Sequence, residues 1–239
     1  MKKITLFLIL IFSISIISCS NNKDSNVIVS INVNPDFLKN GSVSIYSVSE
    51  SETDEISYFT NYILSQSESI LIIKDLNNNI EEKIQRYKLD KKNLSILSTE
   101  IVKSNGDKQD ILFKGTKKGN YFELVDSSNK DLITKRIITG NNQYFEEDLI
   151  LQLIACFPLN KDQIHNFKFV STINQIQGEE SYKVIGEDIV TVMNKKFNSI
   201  KVELINSRCT AWFLEEAPHI LLRAVYPDNV IEITNWNYY

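Results

Sequence analysis

The chain has 239 residues, of which 43% are hydrophobic, and its 26 Lys and Arg against 30 Asp and Glu give a net charge of −4 at pH 7. This length suffices for one large domain or two small ones. The lysines are scattered in an acidic chain, which excludes the basic stripe that nucleic-acid phosphates require. We therefore expect no nucleic-acid partner.

The first twenty residues, MKKITLFLILIFSISIISCS, have the pattern of a secretory signal peptide. A basic start precedes an apolar run over residues 4–17, which is too short and wrongly flanked for a membrane-spanning helix. The closing residues, 16–19, resemble a bacterial lipobox, whose cysteine becomes the first mature residue and carries acyl chains such as palmitate. This resemblance predicts a lipoprotein signal peptide over 1–18 and lipidation of Cys19. The alternative is an ordinary signal peptide with an unmodified cysteine.

Lipidation would place the protein in the bacterial cell envelope, because several acyl chains hold a protein stably to a bilayer. Ser20, rather than Asp, follows the cysteine, which favours the outer membrane if the host is Gram-negative. The mature chain of 221 residues loses Lys2 and Lys3, so its net charge is −6. Because of this negative charge, we expect the acyl chains alone to contact the membrane.

Residues 19–26 are polar and without periodicity, which predicts a tether. From Val27 apolar and polar residues alternate, which is typical of a strand and predicts an N-terminal β segment over 27–49. An acidic loop follows. The region 56–237 contains repeated strand patterns and hairpin signals, such as Asn105-Gly106, and is predicted to form the main domain.

One segment breaks the strand pattern. Three acidic residues, 146–148, precede the apolar run LILQLIACF and Pro158, which predicts a buried helix over about 144–157. Roughly ten strands with one helix predict a mainly β fold, either a strongly curved antiparallel sheet or an incomplete β-barrel. The helix is expected to cover one mouth of it. A transmembrane barrel is the competing fold, against which the lipobox argues.

The sequence offers few candidates for chemistry. Cys156 and Cys209 could form a disulfide in an oxidising compartment, or Cys156 could be a buried free thiol. His165 lies in a polar stretch that predicts an exposed loop, and His219 is near two glutamates. No nucleophile, metal or phosphate-binding motif is present in the sequence, so we expect no enzyme activity, metal or cofactor.

Several segments resemble a bacterial envelope family known as domain of unknown function 3108. They are Tyr87 to Asp90, Leu112 to Gly115, Tyr182 to Val192, Phe197 to Leu204 and Thr210 to Phe213. The resemblance implies a curved half-barrel like that of lipoprotein carriers, and it carries over no catalytic residues. Lys195 and Lys196 stand where the family usually has Gly-Thr.

The aromatic residues are the remaining functional lead. They either fill the core or line a groove between sheet and helix that holds an acyl chain or another apolar ligand. They are Tyr58, Phe59, Tyr62, Phe113, Phe122, Phe167, Phe169, Phe197, Trp212 and Phe213. We expect a membrane-anchored protein that binds an apolar ligand or passes it on. The alternative is a structural module that binds another envelope protein.

Overall fold

The computed structural model describes residues 31–38, 41–50, 56–65, 68–74, 82–105, 108–128 and 132–237. Within them the chain forms fifteen strands and one short α-helix. The strands β1 to β8 are Val43–Glu50, Ile56–Ser65, Glu68–Lys74, Glu82–Leu89, Ile96–Asn105, Lys108–Lys118, Tyr121–Asp126 and Ile133–Ile138. The strands β9 to β15 are Tyr144–Glu146, Ile164–Ser171, Ile176–Val192, Lys195–Leu204, Cys209–Leu214, Leu221–Val225 and Asn229–Asn237.

All fifteen strands belong to one sheet, in the order β8-β7-β6-β5-β4-β3-β2-β1-β15-β14-β13-β12-β11-β10-β9. Strands that follow one another in the chain pair antiparallel, except that β8 does not pair with β9 and that β9 pairs parallel with β10. In addition, β1 pairs antiparallel with β15. The two edge strands, β8 and β9, are consecutive in the chain but do not pair with each other. The sheet is therefore an open, curved sheet and not a closed barrel.

Three side-chain contacts between distant strands show how strongly the sheet curves. Tyr87 Oη on β4 lies 3.3 Å from Asp148 Oδ2, just after β9. Gln143 Nε2 donates to the Asn93 carbonyl at 2.6 Å, and Gln175 Nε2 donates to an Asp126 carboxylate at 3.1 Å. The end of the sheet that contains β9 and β10 thus packs against the strands β4 to β7.

The predicted curved sheet with one buried helix is confirmed, although the helix is shorter than predicted. Residues 144–146 form β9 and pair with β10, Glu147–Leu149 form a 3-10 turn, and the α-helix α1 covers only Ile150–Ile154. Four of its five residues are buried. The apolar run over 149–157, interrupted by Gln152, arises because α1 lies inside the curved sheet, where most of its sides contact the core.

The core is one continuous cluster. Five of the aromatic residues considered above, Phe59, Phe122, Phe167, Phe169 and Phe213, are buried in it. The sequence pattern predicts roughly ten strands, whereas the described residues form fifteen.

The N-terminal segment crosses the core outside the sheet. Residues 31–34 do not form the strand that the alternation from Val27 predicts, and Pro35–Phe37 form a 3-10 turn. The Asn34 N–H donates to the Cys156 carbonyl just after α1 at 2.7 Å. The strand β1 lies in the centre of the sheet, between β2 and β15, so it is continuous with the region 56–237. Among the described residues, no helix is long and apolar enough to span a membrane.

Candidate functional site

The segment that follows α1, residues 158–163, is bound along the middle of β11. Tyr182 Oη donates to the Pro158 carbonyl at 3.0 Å, and the Asp162 N–H donates to the Val184 carbonyl at 2.9 Å. At this point the pairing of β11 with β12 shifts by one residue between Val184 and Gly186. A β-bulge increases the local bend of a strand. The segment and the bulge together leave a space between them.

This space is a cavity of about 430 Å³, open on one side. Its apolar wall consists of Leu159, Val184 and Ile200. Lys161 extends its aliphatic chain over Gly186, since a Cβ built on that glycine would lie 3.4 Å from Lys161 Cε. Two glutamates complete the lining, Glu187 and Glu215. The cavity thus combines an apolar wall with a charged rim.

The space under the N-terminal segment is much smaller. Phe37 and Leu38 cover a crevice of about 40 Å³ that is lined on its other side by α1 and by residues 218–221. The Gln152 amide oxygen in this crevice is buried without a hydrogen-bond partner. Residues of the chain itself therefore fill the predicted groove between sheet and helix, and the larger cavity lies beyond the end of α1.

Three acidic residues before α1 form a buried polar group instead of capping the helix. Glu146 is fully buried on β9, where its two carboxylate oxygens accept hydrogen bonds from Thr172 N and Oγ1 at 2.9 and 2.8 Å. Glu147 accepts a bond from Asn174, and no side chain caps the turn or the helix. Within the described part of the chain, no group of three His, Cys, Asp or Glu residues could hold a metal ion.

Asp148 is buried against Tyr87. The Tyr87 hydroxyl lies 2.6 Å from Gln85 Oε1 and 3.3 Å from Asp148 Oδ2, and its single proton can be donated to only one of these two oxygens at a time. Burial, followed by the charge of Glu147, raises the pKa of Asp148 to about 7. Burial and the charge of Asp148 also raise the pKa of Glu146 well above its usual range. Both groups favour the protonated form inside the fold.

The two cysteines are both buried free thiols, so the disulfide alternative is not formed in this structure. Burial raises the pKa of each thiol to about 12. A protonated thiol is a poor nucleophile, and burial limits access to it. Cys156 and Cys209 therefore behave as small core residues. Cys19, the predicted lipidation site, lies outside the described residues.

The two histidines contact aromatic rings. His165 lies on β10 rather than in an exposed loop, and its ring stacks on Tyr182 with centroids 4.9 Å apart. Burial lowers its pKa. His219 packs edge to face on Phe37, and its Nδ1 lies 3.0 Å from the Leu214 carbonyl oxygen. Both positions are explained by packing.

Sequence reasoning missed the cavity lined by Lys161 and Gly186. Gly186 has φ of 132°, a conformation in which a side chain is strained. A glycine inside a strand pattern can indicate a bulge, and this was the available signal. Lys161 gave no signal, because its place over the bulge depends on how the chain leaves α1.

Comparisons with known proteins give a likeness of fold only. No family model matches the chain, and no curated protein matches it. The solved structures similar to the chain include a β-barrel-like protein of domain of unknown function DUF1849 from Brucella abortus, with a TM-score of 0.50. The alignment covers 89% of this chain and 100% of that one, at 6% sequence identity. The chain therefore shares a β-rich fold with that protein, and membership of domain of unknown function 3108 is not shown.

Proposed function

We propose that the protein is a lipid-anchored, non-enzymatic protein of the bacterial envelope whose domain binds an apolar or amphipathic ligand. The cavity of about 430 Å³ beyond the end of α1 carries this proposal. Its size falls in the range of about 300–1,000 Å³ that is usual for small-molecule sites. The lipobox pattern at Cys19 and the resemblance to domain of unknown function 3108 are part of the same proposal.

The lining supports a ligand that has both an apolar and a polar part. Leu159, Val184 and Ile200 would contact an apolar body, such as a segment of an acyl chain. Lys161, Glu187 and Glu215 carry both signs of charge at the rim, which suits a polar head group that remains near water. The ligand would thus lie with its apolar part against the sheet.

Native mass spectrometry of the mature protein, purified from the envelope in detergent, tests the ligand. We expect a mass excess beyond the N-terminal acyl groups that disappears on organic extraction. Ile200→Trp should fill the cavity and remove most of this excess. Ile189→Trp is the matched control, because Ile189 is 63% exposed and outside the cavity lining. If the parent protein shows only the mass of the polypeptide with its N-terminal acyl groups, both before and after incubation with membrane lipids, ligand binding is contradicted.

The anchor is tested separately. Cys19→Ala should abolish incorporation of labelled palmitate and leave the signal peptide uncleaved, because the lipobox cysteine is the acceptor of the acyl chains. Ser20→Ala is the control and should be labelled normally. An unlabelled parent, or labelling that persists in Cys19→Ala, would refute the lipid anchor at Cys19 and leave the cavity proposal untouched.

One observation favours the alternative, a module that binds another envelope protein. The edge strand β8 has one paired side within the described chain, and three apolar residues beside that edge are exposed: Leu132 at 70%, Ile133 at 50% and Ile138 at 65%. An unpaired edge can accept a strand from a partner. A ligand-free mass in the experiment above would make this the leading function.

A further inference from the structure

Three Lys-Lys pairs lie at or beside hairpin turns of the sheet. Lys91-Lys92 is in the turn between β4 and β5, Lys117-Lys118 ends β6, and Lys195-Lys196 starts β12. In a run of antiparallel strands, alternate turns lie at the same end of the sheet. The strand order puts all three pairs at one end, which we call the lysine end.

Side-chain contacts tie this end together. Lys117 Nζ donates to Thr139 Oγ1 and to the Gly140 carbonyl, which joins the turn after β6 to the loop before β9. In the same loop, Gln143 Nε2 donates to the Asn93 carbonyl, beside the first lysine pair. The third pair belongs to the same end, because the Glu215 N–H in the loop after β13 donates to the Asn198 carbonyl near the start of β12.

The N-terminal segment reaches the domain at this end. The Ile31 N–H donates to Gln143 Oε1 at 2.7 Å, and the Phe37 ring contacts His219 in the loop after β13. Twelve residues, 19–30, separate Ile31 from the predicted lipidation site, and an extended chain of that length spans at most roughly 40 Å. An anchor at Cys19 would thus hold the lysine end, rather than the opposite end, next to the bilayer.

The two ends of the sheet differ in their charged residues. Lys91, Lys92, Lys195 and Lys196 are exposed, and Lys118 is exposed but paired with Glu123. Acidic residues also lie at this end; Asp90 accepts hydrogen bonds from the backbone of its own turn, and the others include Asp36, Glu68 at the start of β3, Asp162, Glu215 and Glu216. By the strand order, seven sequence segments connect strands at the opposite end, and together they contain eight acidic residues against two basic ones, Lys130 and Arg208. They are 51–55, 75–81, 106–107, 127–132, 172–175, 205–208 and 226–228. The net negative charge of the connecting segments is therefore concentrated at the end of the sheet opposite the lysine end.

We propose that the lysine end docks on an anionic lipid surface, with the acidic end directed away from it. Lysines near an anionic bilayer are attracted to it, and Trp is favoured at the interface between lipid and water. Trp236 is placed for this role, because it lies near the end of β15 and packs on Phe197, next to Lys196, with centroids 5.6 Å apart. The orientation rests on the lipid anchor of the proposed function, whereas the attraction to anionic lipid does not.

The experiment uses the mature protein carrying Trp212→Phe, which leaves Trp236 as the single tryptophan. It is incorporated into vesicles of phosphatidylglycerol and phosphatidylethanolamine in equal parts, or of phosphatidylcholine alone, with a quencher on the lipid head group. We expect stronger quenching of Trp236 on the anionic vesicles, weakened by salt. Lys195→Glu with Lys196→Glu should reduce the ratio of docked to undocked protein at least about fivefold, the effect of one lysine at such a surface.

Lys108→Glu with Lys114→Glu is the control, since it makes the same charge change at exposed positions of β6 away from the lysine end. The fluorescence of Trp236 in this control should be quenched as strongly as in the parent. Equal quenching of Trp236 on both kinds of vesicle would overturn the proposal. An equal loss of quenching in the two double variants would also overturn it. The mass of the purified protein reports lipidation independently. If acyl chains are absent, the anchor fails, and binding of the same protein to added vesicles still tests the lysine end.

Discussion

Replacing Glu180 with alanine is expected to lower the free energy of unfolding by about 3–5 kcal/mol, because it removes a buried carboxylate that several backbone groups require. Glu180 on β11 is 3% exposed. Its Oε1 accepts the N–H groups of Ser181 and Asn206 at 2.7 and 2.8 Å, and its Oε2 accepts the N–H of Ser207 at 2.9 Å. The side chain thus holds the turn between β12 and β13 to β11, and alanine would leave those N–H groups without acceptors.

Chemical denaturation of the purified variants measures this effect. Glu179→Ala is the matched control, because the neighbouring side chain is 70% exposed and its ion pair with Lys168, at 3.4 Å, should contribute less than about 1 kcal/mol. Glu180→Gln keeps one acceptor oxygen and places an amide group near the other N–H, so it should lie between the two. Equal losses for Glu179→Ala and Glu180→Ala would show that the turn does not depend on this carboxylate.

The mainly β, curved architecture could be predicted because alternation along each strand records which face is buried. In β12, for example, Val202 and Leu204 are buried, whereas Glu203 between them is exposed. The order of the strands is not recorded in this way. The pairing of β1 with β15 joins residues nearly 200 positions apart, and neither strand carries a local sign of its partner.

The buried acidic group shows where a local rule misleads. Acidic residues before an apolar run normally indicate the start of a helix, which favoured a long helix from about residue 144. Here Glu146 is on a strand and bonds to Thr172, and Asp148 faces Tyr87. These partners are 26 and 61 residues away in the sequence, so a local pattern cannot predict them. The curvature of the sheet brings them together. The cavity was missed for the same reason, since its walls come from separate parts of the chain.

The buried carboxyl groups lead to the second prediction, a loss of stability as the pH rises. An unfolded Asp has a pKa of about 4, whereas that of folded Asp148 is about 7. Between these values the folded state binds more protons than the unfolded state, so the free energy of unfolding contributed by this group falls as the pH increases and levels off above about 7. Glu146, whose pKa is also raised, contributes in the same direction.

Asp148→Asn isolates this contribution, because the amide keeps the shape of the side chain, can donate to Tyr87, and does not titrate. Relative to the parent, the variant should gain on the order of 2–3 kcal/mol in free energy of unfolding between pH 5 and pH 8, measured by denaturation at each pH. Asp228→Asn, at an exposed turn, should follow the parent at every pH. If Asp148→Asn also follows the parent, then Asp148 is ionised in the folded protein over this whole range. Its contact with Tyr87 would then be an acceptor contact, and the core would have to tolerate a buried charge beside Glu146 and Glu147. The pH dependence of the difference in stability between parent and variant therefore decides whether Tyr87 or Asp148 carries the proton in their contact.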